Sequence, residues 1–184
     1  NTSNTYAIGG TGSITLVAST KTIPDPTQIL VTNGNHQISA KVNLGTDATI
    51  DASSGTSLTI KNTVDLGGND LTLSGAGTIT LDTQITGTGN VINSGSLSAA
   101  LSSSLSSDLT STGSLEFDVT SYSADQLIVG GTASIAGDEN VDFVDGATPN
   151  GDLALVTSSN PIELPNGLPN LNVSGASGLG LALS

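Results

Sequence analysis

Three observations make an all-β solenoid, a single-stranded parallel β-helix, the fold to expect here: the composition, a recurring strand motif, and the interval at which that motif returns. Of 184 residues, 35% are hydrophobic, but aromatics supply only 2% and charged residues 10%. A disordered chain shows the opposite pairing, low hydrophobicity with high charge. Met, Trp and Cys are absent, and the apolar content is Val, Ile, Leu and Ala diluted with Thr, Ser, Gly and Asn. Small and β-branched side chains suit thin pleated layers rather than a thick interior.

The motif is a Gly, Asn or Thr corner followed by apolar–polar–apolar alternation. It appears at Gly12-Ser13-Ile14-Thr15-Leu16, Thr56-Ser57-Leu58-Thr59-Ile60, Asn69-Asp70-Leu71-Thr72-Leu73 and Gly77-Thr78-Ile79-Thr80-Leu81. Later copies are Gly95-Ser96-Leu97-Ser98-Ala99, Gly113-Ser114-Leu115-Glu116-Phe117 and Asp125-Gln126-Leu127-Ile128-Val129. Period-two alternation between turn residues marks short, half-buried strands.

The interval organises these strands. Ile50, Leu58 and Val64 are followed, about 21 residues on, by Leu71, Ile79 and Ile85, a period in the range of solenoid repeats. Ile92 and Leu97 extend the first two series, and Leu115 lies beyond Leu97. Three interleaved ladders describe a coil with three faces per turn. At roughly 4.8 Å per turn, about nine turns make a rod on the order of 40 Å long.

Individual segments follow from this plan. Residues 1–184 form a single solenoid domain, irregular or loop-rich near 21–28 and 160–170. Ile23-Pro24-Asp25-Pro26 and the cluster Pro161, Pro165 and Pro169 interrupt the pattern, because proline cannot donate to a ladder. Leu97, Leu101, Leu105 and Leu109 recur at helical spacing, but Ser is a middling helix former and the flanks are strand-like, so strands with corners are expected over a flanking helix. Lys21, Lys41 and Lys61 lie about one turn apart, which places them along one edge, where lysine discourages lateral strand pairing.

Two parts of the chain also resemble a known family. Ile38-Ser39-Ala40-Lys41-Val42-Asn43-Leu44-Gly45-Thr46-Asp47-Ala48-Thr49-Ile50-Asp51 is similar to the opening of an autotransporter-associated β-strand repeat, and residues 55–60 and 75–81 continue the likeness. Ser123-Ala124-Asp125-Gln126-Leu127-Ile128-Val129-Gly130-Gly131-Thr132-Ala133 and Leu153-Ala154-Leu155-Val156-Thr157-Ser158 resemble the last turns of such solenoids. The resemblance implies a right-handed β-helix, export to a bacterial surface and a passenger or stalk role without catalytic residues. The chain departs from the family in being short and in lacking a membrane β-barrel.

Charge and composition exclude several functions. The formal net charge is −13, with three lysines and no arginine, so no cluster of cations is available to neutralise phosphates or anionic lipid headgroups. Neither nucleic acid nor membrane insertion is expected, and no apolar run is long enough for a spanning helix. Without cysteine there is no disulfide, thiol nucleophile or thiolate metal site. Asn1 in place of an initiator points to an export signal removed upstream.

No catalytic, cofactor or metal residue emerges. His36 is the only histidine and, in Asn33-Gly34-Asn35-His36, reads as an exposed turn residue. Serine has no Gly-x-Ser-x-Gly elbow and no oriented base. Asp138, Glu139, Asp142 and Asp145 are close in sequence, and strand alternation puts Asp138 and Asp142 on one face. A glycosidase pair or a Ca²⁺ site is the sharper reading of this cluster. A solvated acidic edge is the default, with Phe143 the only aromatic nearby. Thr78 with Thr80, and Thr86 with Thr88, are candidate ice-ordering pairs, but the pattern does not repeat along one ladder.

Function is therefore expected at the open ends. Tyr6 to Val17 and Gly178-Leu179-Gly180-Leu181-Ala182-Leu183 are strand-like and nearly uncharged, with no amphipathic capping helix. Bare strand edges template association. The leading expectation is a non-enzymatic extracellular fibre subunit that polymerises end to end, with cell-surface or matrix components as other partners. The alternative is an adhesin or stalk module of an autotransporter-like passenger.

Overall fold

The computed structural model describes residues 5–19, 27–101, 103–144, 147 and 153–175. Ile23 to Pro26, Lys21, Asp145 and the stretch 178–183 lie outside them.

The chain visits three faces in fixed order. The first coil holds β1 (Ala7–Ile8), β2 (Ser13–Leu16) and β3 (Gln28–Val31), and the second β4 (Asn35–Ile38), β5 (Lys41–Leu44) and β6 (Ala48–Ala52). The third has β7 (Ser57–Ile60), β8 (Val64–Asp65) and β9 (Leu71–Ser74), and the fourth β10 (Thr78–Leu81), β11 (Gln84–Thr86) and β12 (Asn90–Asn93). Then come β13 (Ser96–Ala99), β14 (Ser103–Leu105) and β15 (Asp108–Ser111), followed by β16 (Ser114–Val119), β17 (Leu127–Val129) and β18 (Ala133–Ile135). The last are β19 (Glu139–Phe143), β20 (Val156–Ser158) and β21 (Leu171–Ser174). Each strand pairs in parallel with its counterpart one coil away, giving sheets of eight strands (face A, from β1), seven (face B, from β2) and six (face C, from β3). This is the parallel β-solenoid the repeat interval requires. The described residues contain no α-helix, and the serine-rich leucine segment forms β13, β14 and β15 with only Leu101 exposed, at a corner.

The stack has fewer turns than the nine expected, because coil length is not constant. The sequence offset between stacked partners is 18 residues from Asn93 to Ser111, 24 from Glu116 to Asn140 and 32 from Asn140 to Asn172. At the other end, Tyr6 and His36 are 30 apart. The end coils carry extra loop, so a uniform period overcounts them.

Alternation puts one side chain of each strand pair inside. Leu58, Ile79, Leu97 and Leu115 stack in register and none is more than 2% exposed. Val64 and Ile85 stack on face B as expected. Two expected rungs are shifted. Ile50 pairs with Leu73 rather than Leu71, and Leu71 continues to Val91, not to Ile92, which faces outward. The inward place beside Val91 belongs to Asn93, fully buried, whose amide donates to Ser111 Oγ at 3.0 Å and to the Ser114 carbonyl at 3.0 Å. Hydrophobicity alone picks Ile92, because a satisfied buried Asn looks like a corner residue.

Corners are also stacked. At the B–C corner, Asp47 Oδ1 accepts from the Asp70 N–H, Asp70 Oδ1 from the Asn90 N–H, and Asp108 Oδ1 from the Thr132 N–H, at 2.9, 2.8 and 2.7 Å. Each carboxylate satisfies a backbone donor of the coil above, where a corner leaves it without a ladder partner. At the C–A corner Gly95, Gly113 and Gly137 pile directly on one another, and a Cβ on any of them would overlap the carbonyl oxygen of the glycine below.

Lys41 and Lys61 do not share a column. Lys41 lies on β5 and pairs with Asp65 at 3.2 Å, whereas Lys61 follows β7 and pairs with Asp82 at 3.6 Å. Equal sequence spacing over unequal coils puts them at different points around the rod.

Candidate functional site

The acidic residues gather on the outer surface of face A near its C-terminal end. Within β19 the side chains alternate strictly: Glu139, Val141 and Phe143 point inward, and Asn140 and Asp142 outward. Asp138 precedes the strand with outward parity, so Asp138 and Asp142 share a face, while Glu139 leaves the expected cluster for the core. Phe143 is buried and offers no platform. The fully exposed aromatic of this region is Tyr122, at the tip of the loop that follows β16.

Register, not sequence proximity, supplies the other members. β16 and β19 align Glu116 with Asn140 and Asp118 with Asp142. A polar column results: Ser96 Oγ and Ser114 Oγ donate to Glu116 Oε1 at 3.1 and 2.8 Å, Asn140 Nδ2 donates to the same oxygen at 2.9 Å, and Asn172 Nδ2 donates to Asn140 Oδ1 at 2.8 Å. In the parallel column Ser174 Oγ donates to Asp142 Oδ1 at 2.7 Å, and Asn170 Nδ2 to Asp138 Oδ1 at 2.9 Å. Glu116, Asp118, Asn140, Asp142, Asn172 and Ser174 line a shallow groove of about 300 Å³.

The electrostatics follow from stacking like charges. Asp118 is raised from its ordinary value, first because it is partly desolvated and then because Asp142 and Glu116 crowd it. Asp125 is also raised, by burial first, with smaller contributions from Asp118 and Asp82 and an opposing one from a backbone hydrogen bond. That bond runs from the Asp118 N–H to Asp125 Oδ2 at 3.1 Å and closes the loop tipped by Tyr122. Glu139 is raised by burial alone.

Chemically, the groove offers acceptors and no cations. Among the described residues no set of three or more His, Asp or Glu side chains is close enough to hold a metal ion, and no helix is long and apolar enough to cross a membrane. Nothing in the sequence marked Glu116 and Asp118 as companions of Asp142, since the 24-residue offset of this coil is needed to bring them together. The expected ice-ordering threonines Thr78 and Thr80 lie on the outer surface of face A, with Ser57 and Thr59 below and Ser96 and Ser98 above.

His36 is not in a turn. It lies in β4 in register with Leu58, at the foot of the inner ladder. Tyr6 covers it, with ring centroids 5.2 Å apart and the Tyr6 N–H donating to His36 Nδ1 at 3.1 Å; His36 Nε2 lies 2.7 Å from the Asn33 carbonyl. Both ring nitrogens are thus occupied by the backbone.

Comparison with known proteins finds no matching family model, no similar curated protein and no similar solved structure. What is shown is a parallel β-solenoid, and no family model names autotransporter-associated repeats.

Proposed function

We propose that this chain is a non-enzymatic structural protein of the bacterial surface, a fibre subunit that assembles head to tail through the ends of its solenoid. The observation that carries the proposal is the state of the two ends. Among the described residues, β1 pairs only with β4 and β21 only with β19, so each offers a free strand edge. Apolar side chains accompany these edges: Tyr6, Ile8 and Val17 are more than half exposed at one end, as is Leu168 at the other, where Val173 tops the inner column at 37% exposure.

Strand direction favours one geometry. Parallel stacking continues only if a second copy adds in the same orientation, and a heterologous contact of this kind propagates into an open filament rather than closing as a dimer. The net charge of −13 opposes side-by-side aggregation and leaves growth along the axis. Surface export and the right-handed coil rest on the resemblance to autotransporter-associated repeats, and the lack of cysteine suits an exported chain.

Electron microscopy with sedimentation of the purified protein tests this reading. Unbranched filaments one solenoid wide are expected above a critical concentration, and monodisperse monomers at high concentration overturn it. The second reading, a stalk or adhesin module of a longer autotransporter-like passenger, draws on the same resemblance. It expects covalent chain at the ends, which intact-mass measurement on cell-surface material detects.

A further inference from the structure

One carboxyl is out of place. Glu139 occupies an inward position of the ladder that Leu58, Ile79, Leu97 and Leu115 fill below it, with Leu115 beneath and Leu171 above. It is only 7% exposed, and no described residue hydrogen-bonds its carboxyl, whose oxygens keep a slight contact with solvent. The inward residues of faces B and C in these coils, Leu127, Val129, Ala133 and Ile135, are buried and apolar. An ionised carboxylate in such a place loses hydration and gains nothing in return.

The charged groups around it do not compensate. Asp138 and Asp142 on its own strand have outward parity, as do Glu116 and Asp118 on β16. β17, β18, β20 and β21 carry no titratable residue, Asp125 is engaged with Asp118, and Glu163 beyond face C is exposed. No lysine lies in these coils.

Among the described residues, β21 alone lies between Glu139 and the C-terminal end of the stack. Among the described residues β21 pairs with β19 alone, through a backbone ladder and the surface bonds from Asn170, Asn172 and Ser174, and Leu171 packs on the apolar cluster of Val119, Val141, Phe143 and Ala147. β21 is followed by Gly175, in the left-handed region at φ 69°, where a side chain would strike the Phe143 carbonyl. Lifting β21 would open the Glu139 carboxyl fully to water.

We propose that β21 is an acid-latched cap, docked on β19 while Glu139 holds its proton and released when Glu139 ionises. The direction follows from linkage. Docking favours the protonated acid, so the latch is at full strength below the ordinary glutamate range and weakens as the pH climbs through the raised value of the docked state. This device is independent of whether the ends join copies into a fibre.

Hydrogen exchange of the monomeric protein, corrected at each pH for intrinsic rate, reads it directly. Between about pH 4.5 and about pH 8, protection of 171–174 in the wild type is expected to fall about tenfold for each unit by which docking raises the acid. Strands 78–81 and 96–99 serve as the folded reference in the same sample. Glu139→Gln is expected to hold the protection of 171–174 level across the range. The proposal is overturned by pH-independent protection in the wild type. It is equally overturned if Glu139→Gln keeps the pH dependence, or if Asp142→Asn, and not Glu139→Gln, removes it.

Discussion

The middle coils and the end coils follow the same path around the same three faces, yet they use the innermost position differently. From Leu58 to Leu115 the ladder is unbroken aliphatic. One coil outward in each direction the same position holds His36, under Tyr6, and Glu139, under Leu171. In a stacked array each rung interacts mainly with its two neighbours, so a polar side chain is most costly where both neighbours are closed over it. Near an end, a single described layer, Tyr6 over His36 and β21 over Glu139, covers it. Polar residues are tolerated there because the local penalty has an escape.

Exchanging the two environments gives the largest expected effect. Ile79→Glu brings a carboxyl into the middle of the column and should cost about 4 kcal/mol or more, enough to abolish cooperative urea unfolding followed by circular dichroism. A smaller loss, about 1–3 kcal/mol, is expected from Gly113→Ala, because the added methyl overlaps the Gly95 carbonyl and two coils must part. Gly12→Ala is the end-coil counterpart, where a Cβ meets nothing within 4 Å, and its midpoint should be unchanged.

Removing a corner acceptor ranks next. Asp70→Ala leaves the Asn90 N–H without its carboxylate in a central coil and should cost about 1–2 kcal/mol by denaturant titration. Asp138→Ala breaks only an exposed bond from Asn170 and should cost under about 0.5 kcal/mol. The subtlest effect is a reversal of the usual acid limb. Asp118, Asp125 and Glu139 are all raised from ordinary values of 3.8, 3.8 and 4.5, so their contribution favours the fold at low pH and is lost as pH rises through the folded values. Glu139→Leu should therefore raise the thermal midpoint at neutral pH and leave it nearly unaltered below the glutamate range.

The fold was largely legible in the chain. Corner residues and alternation located the strands of the middle coils, and the interval of the Leu58, Ile79, Leu97 and Leu115 rungs located their stacking. The misread rungs differ in cause: Ile50 meets Leu73 because that coil runs 23 residues and not about 21. Ile92 was taken as an inward residue because it is apolar, whereas Asn93 holds that place through bonds to residues 18 and 21 positions away. His36 read as a turn because it follows Asn33-Gly34-Asn35, although β4 begins at Asn35. For the acidic groove, the sequence exposed Asp138 and Asp142 but not their partners Glu116 and Asp118.

What the sequence determined by itself is the coil: alternation selects strands, small corner residues permit tight turns, and a near-constant interval stacks them. Those are short-range properties, written within one turn. Tertiary structure alone decided which rung each residue joins, because loops of unequal length shift the register from coil to coil. It therefore also decided that Glu139 faces the core, that Asp118 lies beside Asp142, and that β21 covers Glu139 and Asp142.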